Sequence, residues 1–93
     1  MPHKVDIHVG RRIKAQRLAK CLTQTELADE LGIACQQVHK YETAINRVSA
    51  SRLAEIADVL RVPVHVFFPM SAYAVESARL DDAHVRAEMQ GRT

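Results

Sequence analysis

From Cys35 to Lys40 the chain reads CQQVHK. Gln36, Gln37, His39 and Lys40 set long donors and acceptors around a single aliphatic residue, Val38. Lys40 is the only formal charge in this run. An ordinary solvated helix face mixes Glu with Lys, and this one offers neutral amides instead. Such a face suits a helix that must hydrogen-bond base edges in a major groove. Gln can grip adenine N6 and N7 there, and Lys can reach guanine O6 and N7. Cys35 and His39 flank the same face. Cys35 also stands near a helix N-terminus, where the dipole favours a thiolate, but no basic partner lies within a turn.

The elements that must hold this face can be read from the residues around it. Thr23 to Glu42 forms two short helices joined by a tight turn. Leu27, Ala28 and Leu31 make the inward stripe of the first. Thr23 caps it, and Glu26 three residues on completes a capping box. Gly32 stops that helix because it enters the left-handed region without a Cβ penalty. Ile33 drops inward as the plug of the turn, and Val38 and Tyr41 face in from the second helix, about Ala34 to Thr43. Before the pair, a helix capped by Asp6 runs to about Lys20, with Val9, Ile13 and Arg17 on one stripe. After it, Thr43 to Ser49 lacks periodicity and reads as a loop with Asn46 and Arg47 at its polar tip. Ser49 then caps a fourth helix with Leu53, Ile56, Ala57 and Leu60 inward. Pro63 opens a short fifth helix, Phe67 and Phe68 close the core, and Pro69 ends it. Ser71 to Met89 is rich in good helix formers and predicts one more helix. Its apolar residues Val75, Leu80, Val85 and Met89 make no single strong stripe.

The spacing of these residues resembles the phage-repressor-like (XRE or Cro-like) helix-turn-helix family. The matching positions are Ile13, Arg17, Thr23-Gln24, Glu26-Leu27-Ala28, Leu31-Gly32-Ile33, Val38, Tyr41-Glu42, Arg52-Leu53, Ile56-Ala57, Leu60 and Val62-Pro63. The block from Gln36 to Leu53 is most similar to a stand-alone bacterial regulator branch. The resemblance implies an all-α, compact five-helix DNA-binding domain over residues 6–69, followed by a tail, 70–93, available for dimerisation. It implies a sequence-specific transcriptional regulator, a repressor, that binds a palindromic operator as a homodimer. Gln36, Gln37 and Lys40, with Cys35 and His39 beside them, become the base readers. Thr23 and Gln24 at a helix N-terminus, Asn46 and Arg47 in the loop, and Arg11 become phosphate contacts. Arg17 and Glu42 become a semi-buried clamp between the first and third helices. The chain departs from the family at Cys21 and Ala44, where Gly is usual, and at Ala34, where Ser or Thr caps the third helix.

Composition narrows the rest. Ninety-three residues make one domain with one small core. The net charge is +2, split as +3 over residues 1–68 (ten Lys and Arg against seven Asp and Glu) and −1 over 69–93 (three against four). No apolar run is long enough to span a membrane, and MPHKVDIHVG lacks the apolar stretch of a secretory signal. The two cysteines are too sparse for a disulfide scaffold. These readings place the protein in the cytoplasm, with no membrane partner. The five histidines and two cysteines show no structural-zinc spacing, so no metal and no cofactor is expected. No nucleophilic or phosphate-loop constellation argues for an enzyme. So small a core leaves no room for a small-molecule ligand. The rival function is a protein-interaction module, such as the antitoxin of a toxin–antitoxin pair.

Overall fold

The computed structural model describes residues 2–69, which are helical with no strand among them. The first helix, α1, is Lys4–Ala19, and α2 is Gln24–Leu31. The third, α3, is Cys35–Glu42, and α4 is Ala50–Leu60. A 3-10 turn, Val64–Phe67, follows. No helix among the described residues is long and apolar enough to cross a membrane. The helix expected over Ser71 to Met89, with Val75, Leu80, Val85 and Met89, lies outside the described residues.

The start of α1 differs from the expected Asp6 cap. His3 is the cap, and its Nδ1 accepts the Val5 amide at 3.0 Å. Asp6 lies inside the first turn, where a carboxylate favours the positive end of the helix. The caps of α2 and α4 follow the expectation: the Thr23 hydroxyl accepts from the Glu26 amide and Ser49 Oγ from the Arg52 amide. Ala34 caps α3 with no side-chain hydrogen bond.

One buried cluster joins all the elements. It contains Val9 and Ile13 of α1, Leu27 and Ala28 of α2, and Val38 and Tyr41 of α3. Leu53, Ile56, Ala57 and Leu60 of α4 and Phe67 complete it. Ile33 and Leu31 pack against its edge. Phe67 is fully buried and closes the core as expected, whereas Phe68, expected beside it, is 44% exposed because the chain returns to extended backbone there and turns its ring outward. The last element is a single 3-10 turn, however, and not a fifth α-helix. Pro63 is extended, Phe68 returns to extended backbone at ψ 149°, and Pro69 disfavours a helical conformation at the residue before it. Five residues between two prolines have no room for an α-turn that continues. Arg12 secures the turn to α1, its Nε donating to the Val66 carbonyl at 3.1 Å.

All four α-helices run into a left-handed residue, and among these four residues only Gly32 is glycine. Gly32 has φ 68°, while Cys21, Ala44 and Arg61 have φ 59°, 60° and 57°. At Cys21 and Ala44, where the resemblance leads one to expect Gly, the backbone is left-handed and carries the strain of a side chain. A left-handed L-residue costs about 1–2 kcal/mol, and glycine returns part of the gain through a freer unfolded chain. Cys21 is exposed, so its side chain contributes no core packing. Cys21→Gly should stabilise the domain by about 0.5–1 kcal/mol and raise its melting temperature by several degrees. A melting temperature that stays level or drops in a thermal scan would reject this account of the turn.

Candidate nucleic-acid interface

The α2–turn–α3 unit is built from local signals that agree with one another. Thr23 N donates to Glu26 Oε1 at 3.0 Å and Glu26 N to Thr23 Oγ1 at 3.0 Å, so both halves of the capping box form. The Thr23 amide, and after it the Thr23 hydroxyl, hold the Glu26 carboxyl below its ordinary pKa. Because the folded value is the lower one, this support is present at neutral pH and fades as pH falls through the depressed value. Gly32 then reverses the chain, and Ile33 N donates to Ala28 O at 3.0 Å.

On α3, Val38, Tyr41 and Glu42 are buried. Gln36, His39 and Lys40 are exposed, and Gln37 and Cys35 are half-buried. Gln36 and Lys40 stand four residues apart and share a face, with Gln37 and His39 on its two flanks. Thr43 extends this face by another turn, a position that the i, i+4, i+7 spacing from Gln36 marks in the sequence and that the reading above passed over. Its hydroxyl donates to the His39 carbonyl at 2.8 Å, which secures the helix end. Cys35 sits beside α2, where Thr25 Oγ1 donates to its Sγ at 3.4 Å.

Behind this face lies the clamp. Arg17 Nε donates to Glu42 Oε2 at 2.7 Å and Nη2 to Oε1 at 3.1 Å, a two-pronged grip. Arg17 and Glu42 are 5% and 6% exposed, which makes this a buried ion pair. Arg17 Nη1 donates to the Leu22 carbonyl at 2.7 Å. Gln24 Nε2 donates to Glu42 Oε1 at 3.0 Å, so this side chain joins α2 to the clamp. Gly10 lets the helices meet: a Cβ there would lie 2.5 Å from the Tyr41 carbonyl oxygen and 2.7 Å from that of Glu42. Sequence reasoning missed Gly10, because nothing local distinguishes a close approach from an idle helical glycine.

The remaining expected contacts are spread around the unit. Thr23 is at the exposed entrance to α2. Asn46 and Arg47 are exposed on the loop after α3, and Arg47 Nε donates to Asp6 Oδ2 at 3.1 Å. Arg11 is exposed on α1 and makes no ion pair among the described residues.

Two helices at this turn, with a polar outer face and an ion-paired inner one, match a helix-turn-helix family model over residues 13–67, well over half of the chain. The chain belongs to the helix-turn-helix family. Its XRE-type character agrees with the resemblance noted in the sequence. Among curated relatives, an uncharacterized transcriptional regulator in the ATPase CF(0) region of Rhodospirillum rubrum is 50% identical over 66 residues, 71% of this chain and 61% of that one. An uncharacterized HTH-type transcriptional regulator of Sinorhizobium medicae is 49% identical over 67 residues, 72% of this chain and 48% of that one. The helix-turn-helix chain thus spans about half to three-fifths of the length of these relatives. Among solved structures, the biofilm master regulator SinR in complex with DNA is 32% identical with a TM-score of 0.60, covering 63% of this chain and 95% of that one. The helix-turn-helix match begins at Ile13 and ends at Phe67, so it includes both the clamp and the residue that closes the core.

Proposed function

We propose that this domain binds double-stranded DNA sequence-specifically and regulates transcription, acting as a repressor. The observation that carries the reading is the face of α3. Gln36 and Lys40 are exposed on one side of a helix whose other side is buried and held by the Arg17–Glu42 pair. Such a helix presents base-reading groups in a fixed orientation, as major-groove recognition requires. Gln37, His39 and Cys35 lie at the margins of the same face. Thr23 and Gln24 open α2, whose first amides offer free N–H groups to phosphate. Asn46 and Arg47, with Arg11, supply the other backbone contacts. The relatives carry the names of transcriptional regulators, and a similar structure was solved with DNA. Those names favour regulation over an antitoxin role and over catalysis.

One reading helix covers too few base pairs to select a site in a genome. The domain therefore acts as a symmetric homodimer on a palindrome, with reading helices about 34 Å apart. Val64 and Phe68 are 43% and 44% exposed at the end of the described chain, and they supply apolar surface for that contact. The tail, 70–93, is proposed to complete it.

Selection of bound sequences from random duplex tests the reading. Wild type should enrich a palindrome with half-sites about ten base pairs apart. Gln36→Ala and Lys40→Ala should each relax preference at one or two positions, a loss of about 1–3 kcal/mol of discrimination per contact. Identical selected sequences for both variants would refute the base-reading assignment.

A further inference from the structure

Arg47 has an unusual support. It lies on the loop between α3 and α4, where no helix fixes its backbone. Its Nε donates to Asp6 Oδ2 at 3.1 Å, across 41 residues of sequence. The Arg47 side chain is 75% exposed, while that of Asp6 is 20% exposed. Asp6 belongs to the first turn of α1, between Val5 and Val9, both of which pack on the core. A rigid, mostly covered carboxylate thus holds a solvent-facing guanidinium by its inner nitrogen. Both terminal amino groups of Arg47 lack hydrogen-bond partners among the described residues. They retain the forked donor pair that grips a phosphate.

We propose that Asp6 is a positioning residue for DNA binding: it fixes Arg47 with its terminal amino groups free to take a backbone phosphate. The proposal rests on the DNA-binding reading above and assigns a role to a carboxylate that repels DNA by its own charge. An arginine ordered in advance loses less side-chain freedom when it binds. That gain must exceed the repulsion between Asp6 and the phosphates, which salt screens.

A double-mutant cycle on the full chain tests this. Binding of Asp6→Ala, Arg47→Ala and the double variant would be measured by fluorescence anisotropy, on the selected duplex and on random duplex. Salt would run from about 50 to 200 mM. Asp6→Ala should weaken both duplexes about three- to tenfold. It should also reduce the salt slope by part of the roughly one unit that Arg47→Ala removes. In the Arg47→Ala background, Asp6→Ala should cause no loss, because only its repulsion is then removed. Asp6→Asn, which keeps an acceptor, should fall between Asp6→Ala and wild type. A merely structural Asp6 would lower the melting temperature while leaving the slope unchanged, and would weaken binding equally in both backgrounds. That result overturns the proposal, as does tighter or unchanged binding by Asp6→Ala with Arg47 present. Wild type that binds neither duplex at any salt overturns the DNA-binding reading itself. Wild type that binds with an additive cycle overturns the positioning role alone.

Discussion

Glu42→Ala is expected to cost this domain about 3–5 kcal/mol, because it leaves a charged Arg17 buried with its principal partner removed. Glu42 accepts three hydrogen bonds, two from Arg17 and one from Gln24. After the substitution, Arg17 retains the Leu22 carbonyl and the Gln24 amide loses this acceptor. A small domain has about 5–15 kcal/mol of stability in total, so the loss should be visible as a large fall in the denaturation midpoint. The pair is not thereby shown to be a net source of stability. Removing both charges together, in Arg17→Met with Glu42→Leu, should recover most of the loss, since apolar groups of similar size often replace a buried pair at little cost. The double variant should nevertheless discriminate poorly among DNA sequences, because it lacks the two-pronged grip that orients α3. Equal denaturation midpoints for wild type and Glu42→Ala would show that the clamp contributes no stability.

Gly10→Ala is expected to destabilise, although alanine is the better helix former by up to about 1 kcal/mol. The added methyl would lie 2.5 and 2.7 Å from two carbonyl oxygens at the end of α3 and 3.0 Å from the Glu42 carbonyl carbon. These are backbone atoms, so relief requires α1 and α3 to separate. Overpacking of this kind costs about 1–3 kcal/mol, which outweighs the propensity gain. The displacement also pulls Arg17 and Glu42 apart, because one side of the clamp stands on each helix. Gly10→Ala should therefore lower the urea midpoint, and Gly10→Val should lower it further. An alanine variant more stable than wild type would mean that the two helices have room to spare.

The elements and the outer face of α3 were legible because their causes are local. The Thr23–Glu26 capping box, the stop at Gly32 and the apolar stripes of α2, α3 and α4 all depend on neighbours within a turn or so. The exposed side of α3 follows from the same periodicity: once Val38 and Tyr41 face the core, Gln36 and Lys40 face away from it. The Arg17–Glu42 pair, 25 residues apart, came from family resemblance and not from spacing. Tertiary structure decided what depends on the distance between helices. It made Gly10 a contact point, turned Gln24 toward Glu42 and brought Asp6 to Arg47. It also started α1 at Lys4, ahead of Asp6, so the cap is His3, a residue whose ring nitrogen accepts an amide as a hydroxyl does. The last element shortened to a 3-10 turn, held by Arg12 and limited by the prolines on either side. Periodicity determines which face of a helix is buried. How close two buried faces come, and which side chains meet there, depends on the packing of all of them together.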